Sequence, residues 1–423
     1  MFRKIFETGL RKSRFASERA FVCKKPTVRG YAGSKGIRST SPSVFVPGTM
    51  FAVGFSGILF FSNNEKESMC EDESSNVFSM YSKCEMKLLT GNAHPVLAKH
   101  IGDALGINVA EANVKKFKNG ETRVSIKESV RDCDCFIVQP TCSPAPNDYI
   151  VELLIMIDTL RRAGAARITV IMPYFGYARD SHKQKSRTPI TAKVLADVLE
   201  QAGVDRVVTV DLHASQIQGF ANYPIDNLTA IPILRNYLLR LGVFGEDVVV
   251  LSSSPTHAKM TEVLSKALGS GFALSSKVRD SDEDTDHAVL VGDVAEKTCV
   301  VVSDMVDTAN TFCRTARIAR ENGAKHVVGL AVHGIFSGEA VEKIDSSALD
   351  MVIVSDTIPC IERTALSEKV VVLSTATLLA HAIWRIHMGG SLSQLFKFDS
   401  AAHIAKPIAH TQEGEKIKRI LTR

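Results

Sequence analysis

The sequence of 423 residues predicts an α/β protein with two domains, each built around a parallel sheet. Short runs of β-branched and apolar residues recur along the chain, and helix-length amphipathic segments lie between many of them. That alternation is typical of parallel strands buried on both faces. Several helical segments end at glycine, the usual residue after a helix C-terminus. The chain is too long for one ordinary core, so two sheets are expected.

The strands are predicted where the apolar runs lie. In chain order they are 136–140, 167–175, 206–212, 247–253, 298–305, 326–334, 350–356 and 369–375. The segments 151–164, 191–203 and 315–324 are predicted to be helices. Eight strands over this length suit two sheets better than one barrel. The boundary between the two predicted domains is expected near 232–243. Ligands are expected beyond the carboxyl ends of the strands.

Positive charge is concentrated at the N-terminus. Residues 1–40 carry a net charge of +9, whereas the whole chain carries +5, so the remainder is mildly acidic at −4. An acidic body argues against nucleic acid as a partner. Segment 1–43 is basic, rich in Ser and Arg and poor in acids, which is typical of an organelle transit peptide, and residues 29–32 resemble a mitochondrial processing site. We expect mitochondrial localisation; the alternative is a disordered basic tail.

An apolar segment follows the basic one. Residues 44–62 include eighteen consecutive positions without charge, at the lower edge of the length that spans a bilayer. We interpret them as a transmembrane anchor, with the inner membrane as the site; the alternative is part of a longer removed leader. Residues 63–85 are predicted to be a polar linker and 398–423 a basic tail. Nine cysteines without CxxC or metal spacing indicate reduced, buried thiols.

The stretch VVVSDMVDTANT, residues 300–311, predicts a ligand site. An apolar strand runs into Asp304 and Asp307 and then into Thr308 and Thr311, and a helix follows. Backbone N–H groups and threonine hydroxyls at a helix N-terminus suit a phosphate. Carboxylates suit sugar hydroxyls, so the pattern indicates a phosphorylated sugar. The alternative is a capped loop in which Asp and Thr only satisfy backbone donors.

Longer motifs identify a family. In order along the chain they are GNAHPVLAKHIGDALG, KKFKNGET, MPYFGYAR, VTVDLHASQIQGF, VLVGDV, DMVDTANT and HGIFSGEA. Over residues 86–396 the chain resembles ribose-phosphate diphosphokinase, the PRPP synthetase family. The resemblance implies two tandem type I phosphoribosyltransferase-like domains, an ATP-side domain at 86–235 and a ribose-5-phosphate-side domain at 236–397. It also implies ATP and ribose 5-phosphate as substrates, Mg²⁺ as cofactor, and a hexamer-type homo- or hetero-oligomer.

The resemblance also implies roles for individual residues. The ribose 5-phosphate group comprises Asp304, Asp307, Thr308 and Thr311. The ATP group comprises Phe117, Asn119, Glu121, Arg179 and Lys183; the metal group comprises Asp211, His213 and Asp226; and the catalytic group comprises Lys277, Arg279 and His213. The Lys277-x-Arg279 pair matches a mobile loop that closes over the diphosphoryl group.

Several positions differ from the family pattern. In Asp-Asp-x-x-Asp-Thr-x-Gly-Thr, Ser303 replaces the first Asp and Asn310 replaces the Gly. The loop Pro-Asp-Ala-Gly-Gly is here Ser253-Ser254-Pro255-Thr256-His257, the Gln-Asp-Arg that follows Arg179 is Asp180-Ser181-His182, and Asn222 stands where many members have Asp. Asn310 matters most if the turn requires positive φ or a close approach of the backbone there, although Asn tolerates positive φ best among non-glycine residues.

Three functions are compatible with the sequence. The first is an active synthetase that makes PRPP and AMP. The second is a catalytically weak regulatory or structural subunit that assembles with active paralogues, since subunit contacts do not need the altered loops. The third, a phosphoribosyltransferase that consumes PRPP, explains residues 300–311 but not PYFGYAR or DLHASQIQGF. We predict the first.

Overall fold

The computed structural model describes residues 84–183, 185–277 and 288–398, which belong to one compact unit. The predicted transit peptide, the predicted anchor, Arg279 and the side chain of Lys277 lie outside the described residues, as do nearly all of the predicted linker and tail. Within the described ranges, no helix has both the length and the apolar character needed to cross a bilayer.

The described strands and helices alternate along much of the chain. The strands are β1 (Met86–Thr90), β2 (Ala112–Lys116), β3 (Thr122–Ile126), β4 (Asp134–Val138), β5 (Arg167–Ile171), β6 (Arg206–Val210), β7 (Ile225–Leu228), β8 (Val248–Ser252), β9 (Gly271–Lys277), β10 (Ala288–Val291), β11 (Thr298–Val306), β12 (His326–Gly334), β13 (Met351–Ser355) and β14 (Val370–Leu373). The α-helices are α1 (Pro95–Leu105), α2 (Pro146–Arg162), α3 (Thr191–Ala202), α4 (Ile231–Leu241), α5 (Ala258–Leu268), α6 (Asn310–Glu321), α7 (Ala340–Asp345), α8 (Ile361–Thr364) and α9 (Ala376–His387).

Two sheets contain most of the strands. The first has the order β1-β4-β5-β6-β7, and all of its strands are parallel. The second has the order β10-β9-β8-β11-β12-β13-β14 and is parallel except where β10 pairs antiparallel with β9. The strands β2 and β3 form a separate antiparallel hairpin. The predicted α/β class with two parallel sheets is confirmed, and the hairpin and the antiparallel β10 are additions to it.

The central strands are buried because helices cover both faces of each sheet. Every residue of β4 is buried. Leu88 and Phe136 point to one side, where they join the core that contains residues of α1, and Leu89 and Ile137 point to the other, against α2. Successive side chains of a strand alternate between faces, so a strand covered on both sides is apolar throughout.

The helix α3 shows how sequence signals set the limits of an element. Its buried residues are Ala192, Leu195, Ala196 and Leu199, which recur at helical spacing along one face. The helix ends at Gly203, whose φ of 100° is readily available only to glycine and whose N–H donates to the carbonyls of Leu199 and Glu200.

The two sheets share one core. The helices α1 and α9 pack against each other, and their apolar residues lie in a single buried cluster. The buried carboxylate of Asp134 accepts hydrogen bonds from Arg167 and from Nδ1 of His387, which joins β4 and β5 to the end of α9. The predicted domain boundary between residues 235 and 236 falls inside α4, so the chain passes between the sheets through a packed helix rather than a linker.

The cysteines in the part of the chain that the structure describes are free thiols, and most of them are buried. This agrees with the predicted reduced state.

Candidate active site

The candidate site lies where the carboxyl ends of the two sheets meet. In the first sheet, Asp211 and His213 follow β6 directly. In the second, β11 extends beyond its last pairing with β8 at Val302, so Asp304 projects past the end of β8. Nδ1 of His213 is 2.5 Å from Oδ2 of Asp304, a contact between residues 91 positions apart. The polar residues at the two sheet edges therefore form one cluster.

Two cavities adjoin this cluster. The smaller has a volume of about 280 Å³ and is lined by Arg179 and by the loop that carries Asp307, Thr308 and Thr311. The larger has a volume of about 890 Å³ and is lined by residues that include Asp211, His182 and Lys259, together with apolar side chains of α5 and the C-terminal segment. The two cavities share three lining residues, His213, His257 and Asp304.

Asp304 is the centre of the shared wall. Two histidines flank its carboxylate: Nδ1 of His213 donates a hydrogen bond to Oδ2, and Nε2 of His257 lies 2.9 Å from Oδ1 without the alignment of a hydrogen bond. Burial alone raises the pKa of this carboxyl, but the two imidazoles outweigh it and hold the pKa well below its ordinary value. Asp304 in turn raises the pKa of His213. The wall between the cavities is therefore an ordered His-Asp-His array with an ionised carboxylate.

Asp307 is paired across the smaller cavity. Nη2 of Arg179 lies 2.8 Å from Oδ2 of Asp307. Although burial opposes it, hydrogen bonds from Ser337 and Arg179 lower the pKa of Asp307. Arg179 itself is about half exposed, so it can reorient towards a ligand at small cost.

The loop between β11 and α6 bends at Ala309. Ala309 has φ of 61° and ψ of −3°, in the left-handed region, and the helix begins at the next residue. Asn310 is the first residue of α6, and its Oδ1 accepts a hydrogen bond from Lys343. Asn310 does not have a positive φ, so this one of the two conditions under which it would harm the loop is not met.

Asp211 has a strained backbone and is half-buried at the wall of the larger cavity. Its φ is 40°, and its carboxylate accepts a 2.7 Å hydrogen bond from the N–H of Ala230. Burial raises the pKa of Asp211 to about 6. Beneath it, Nε2 of the fully buried His333 lies 3.2 Å from the Asp211 carbonyl. A cation beside the Asp211 carboxylate would offset its desolvation.

Comparison with known proteins assigns the chain to a family. The family model of the N-terminal domain of ribose phosphate pyrophosphokinase matches residues 86–203, and the phosphoribosyl synthetase-associated domain matches residues 270–397. Ribose-phosphate pyrophosphokinase A of Dictyostelium discoideum is 45% identical over 311 residues, covering 74% of this chain and 98% of that protein. The chain belongs to the ribose-phosphate pyrophosphokinase family.

Further relatives agree with this assignment. The ribose-phosphate pyrophosphokinase of Vibrio cholerae is 45% identical over 314 residues, covering 74% of this chain and 99% of that protein. The crystal structure of phosphoribosylpyrophosphate synthetase from Mycobacterium smegmatis matches with a TM-score of 0.68 at 38% identity, covering 72% of this chain and all of that one. The family predicted from the motifs is confirmed.

Part of the residue set predicted for a ribose-phosphate pyrophosphokinase lies together. His213, Asp304, Asp307, Arg179, Thr308 and Thr311 all line the smaller cavity, and Asp211 lines the larger one beside His213. Lys277 is the last residue of β9, and neither its side chain nor Arg279 belongs to the part of the chain that the structure describes. Lys183 is exposed and lines neither cavity.

The predicted adenine group lies elsewhere. Phe117 is 49% exposed at the tip of the β2–β3 hairpin, with the guanidinium of Arg123 5.9 Å from its ring centroid. Asn119 and Glu121 share that tip, where Asn119 Oδ1 accepts a hydrogen bond from the N–H of Glu121. None of the three lines either cavity of its own chain.

Asp226 is also separated from the site. It pairs with Val208 in the register of β6 and β7, and its carboxylate binds Arg206. Asp211 is three residues further along β6, about 10 Å towards the carboxyl edge. In this structure Arg206 holds the Asp226 carboxylate away from Asp211 and His213, and the prediction that these three residues share a metal stays a prediction.

Two functional candidates were missing from the predicted set. His257 contacts Asp304 from the loop 253–257, which departs from the family pattern. That departure was the one feature of the sequence that pointed to His257 as a site residue. His333 supports the backbone of Asp211 from below, and it stands in the motif HGIFSGEA, which carried no assigned role.

Proposed function

We propose that this chain transfers the β,γ-diphosphoryl group of ATP to the anomeric hydroxyl of ribose 5-phosphate, giving PRPP and AMP. The observation that carries the proposal is the meeting of two cavities at His213, His257 and Asp304. A transfer between two substrates requires that their reacting atoms be held within bonding reach. Two cavities with one polar wall in common provide that arrangement.

The sugar phosphate fits the smaller cavity. The hydroxyls of Thr308 and Thr311, with the backbone N–H groups at the start of α6, suit the 5-phosphate. Asp304 and Asp307 then face the ring, where carboxylates accept hydrogen bonds from hydroxyls. Arg179, which is paired with Asp307 in this structure, is free to turn to the ATP phosphates once a sugar hydroxyl takes its place.

His213 is the residue best placed to act on the reacting hydroxyl. Its Nδ1 is held by Asp304, which leaves Nε2 for a ligand and fixes the orientation of the ring. In the transfer, the anomeric oxygen forms a bond to the β-phosphorus, the bond between that phosphorus and the α–β bridging oxygen breaks, and AMP leaves. We assign to His213 the hydrogen bond that accepts or shares the hydroxyl proton.

Mg²⁺ fits the residues beside His213. Among the described residues, no three or more His, Cys, Asp or Glu side chains form a metal site. Mg²⁺ needs only one or two protein carboxylates when substrate phosphates supply other ligands, and the half-buried Asp211 at the wall of the larger cavity is such a carboxylate. The Asp211 carboxylate would hold the ion, which would neutralise charge on the transferred group, while the one free ring nitrogen of His213, Nε2, stays with the reacting hydroxyl.

The adenine group implies a second subunit. Phe117, Asn119 and Glu121 lie on an exposed hairpin that does not reach the cavities of its own chain. We propose that this hairpin completes the adenine pocket of a neighbouring copy or paralogue. An oligomer is then part of the active site, and the isolated monomer binds ATP weakly.

The localisation proposal rests on the N-terminal sequence alone. The basic segment 1–43 supports import into mitochondria, and the uncharged residues 44–61 support an inner-membrane anchor. Cell fractionation followed by carbonate extraction tests both. Release into the soluble fraction would remove the anchor, and exclusion from mitochondria would remove the targeting proposal.

The activity is tested with the full chain, Mg-ATP and ribose 5-phosphate, and AMP is measured. We expect AMP from the wild type and a loss of 10²- to 10⁴-fold in kcat for His213→Ala. His381→Ala is the matched control, since His381 lines a different cavity beside Trp384, and it should retain wild-type activity. AMP formation only after a paralogue is added would support the regulatory function instead, and no AMP in either case refutes the proposal.

A further inference from the structure

Asp304 has little capacity left for a ligand. A carboxylate offers about four positions for hydrogen-bond donors. Oδ1 already accepts from the N–H of Met305 at 2.8 Å and faces Nε2 of His257 at 2.9 Å. Oδ2 accepts from Nδ1 of His213 at 2.5 Å. One position on Oδ2 therefore remains for a sugar hydroxyl.

His257 is fixed in the place where a second hydroxyl would approach. Its Nδ1 lies 3.2 Å from the hydroxyl of Ser253 and 3.1 Å from that of Ser254, and its side chain is only 14% exposed. The N–H at Nε2 is not aligned for a linear hydrogen bond to Oδ1. The imidazole ring nevertheless fills the space beside Oδ1 of Asp304, so a sugar hydroxyl cannot reach that oxygen from this side. The glycine of the family pattern would leave this space open.

The neighbouring side chain is also a weaker acceptor than the acid of the family pattern. Ser303 replaces an acid of the family pattern, and its buried hydroxyl donates 2.9 Å to the carbonyl of Met305. A hydroxyl used in this way carries no charge with which to attract a ligand. Recognition of two adjacent sugar hydroxyls is therefore weakened at two independent positions.

We propose that His257 is a specificity-determining residue that limits Asp304 to one sugar hydroxyl, so that the site accepts a 2-deoxypentose 5-phosphate nearly as well as a pentose 5-phosphate. This inference rests on the proposed function. A site built to bind a hydroxyl rejects the analogue that lacks it by 10⁴- to 10⁵-fold, because its own polar groups lose their partners. With one position left on it, Asp304 keeps no unsatisfied position when the second hydroxyl is missing, and Asp307 keeps Arg179 as its partner when no hydroxyl displaces it.

The test compares kcat/KM for ribose 5-phosphate and 2-deoxyribose 5-phosphate, followed by AMP formation with the full chain. We expect a ratio of about 10 or less for the wild type. His257→Ala should raise that ratio at least about tenfold, because the second position on Oδ1 becomes accessible. His381→Ala is the control and should leave the ratio unchanged.

The outcomes separate the two proposals. If ribose 5-phosphate is converted but the deoxy sugar is rejected by more than about 100-fold, the specificity inference fails and the proposed function stands. The inference also fails if His257→Ala, shown by circular dichroism to be folded, leaves the ratio as it was. If the folded wild type neither binds ribose 5-phosphate in calorimetry nor converts it with a paralogue present, the proposed function fails and the inference with it.

Discussion

Replacing Asn310 by the glycine of the family pattern should not improve the enzyme. Asn310 already has helical geometry as the first residue of α6, and the left-handed residue of the loop is Ala309. A glycine at position 310 would therefore relieve no strain, and it would add flexibility to the start of a helix. The family pattern alone implies the opposite, namely that the loop needs glycine at position 310.

The magnitude follows from two small terms. Glycine is less favourable than asparagine in a helix by about 0.3 kcal/mol. The hydrogen bond from Lys343 to Oδ1 is exposed at 3.1 Å, so its loss costs at most about 0.5 kcal/mol. Asn310→Gly should therefore lower the free energy of unfolding by less than about 1 kcal/mol, and kcat/KM for ribose 5-phosphate should stay within about threefold of the wild type.

The contrasting variant changes the residue that is strained. Ala309 is buried at φ of 61°, and valine there adds a β-branched side chain to a backbone conformation that it rarely adopts. We expect Ala309→Val to cost more than about 2 kcal/mol and to reduce kcat/KM at least tenfold. Urea unfolding and AMP formation measure the two effects. A tenfold gain in kcat/KM for Asn310→Gly, or a neutral Ala309→Val, would show that the strain has been assigned to the wrong residue.

Three further predictions concern stability and catalysis. Asp134→Asn should lower the free energy of unfolding by about 2–3 kcal/mol, because Arg167 and His387 lose a buried partner. Asp158→Asn is the control, since the pair of Asp158 with Arg162 is exposed and its loss should cost at most about 0.5 kcal/mol. Equal losses of the two variants in urea unfolding would contradict this prediction. His94 is buried, with its Nδ1 accepting a hydrogen bond from the N–H of Leu97 and its Nε2 in contact with the Asp356 carbonyl, and this burial lowers its pKa. The unfolded chain therefore binds a proton at His94 before the folded chain does as the pH falls below about 6.5. The stability advantage of the wild type over His94→Asn should then shrink by about 1 kcal/mol between about pH 7.5 and pH 5.5, and a constant advantage would exclude the linkage. Lys277→Ala should reduce AMP formation at least about 100-fold with ribose 5-phosphate binding retained, and a smaller loss would remove Lys277 from the catalytic group.

Continuous apolar runs predicted the buried centre of both sheets. The segment FIV in β4 and the segment VVV in β11 are buried on both faces, and such strands are apolar throughout. β7 was not predicted, because its sequence IDNL has two polar residues in four and the strand lies at the edge of the first sheet. The β2–β3 hairpin was not predicted either, because its pattern alternates with exposed polar residues.

The site was predicted in its components but not in its contacts. The motifs placed His213 and Asp304 at strand ends, and both residues line one cavity, since parallel strands place their carboxyl ends at one edge. That these two side chains touch depends on how the two sheets pack, which no local pattern contains. Which loop residue has a positive φ depends on where α6 begins. The sequence pattern placed that residue at Asn310, whereas α6 begins there and the residue with positive φ is Ala309.

The departures from the family pattern have partners within the fold. Asp180 accepts a hydrogen bond from the N–H of Thr191 at the start of α3, where an acid is favourable, and Asn222 donates to the carboxylate of Glu200. Ser303 donates to the Met305 carbonyl. Asp180, Asn222 and Ser303 thus satisfy hydrogen bonds within the fold and need not destabilise it, whereas Nε2 of His257 is buried without a hydrogen-bond partner.

The cost of the departures should therefore fall on binding rather than on folding. Restoring a family residue, as in Ser303→Asp, would place a second carboxylate beside the buried Asp304 and compete for His213 and His257. Like charges in a buried site raise each other's pKa, so this reversion should destabilise the chain unless His257 is changed with it. The loop at 253–257 and the strand end at 303–304 thus act as one coupled unit, and substitutions within it should be non-additive.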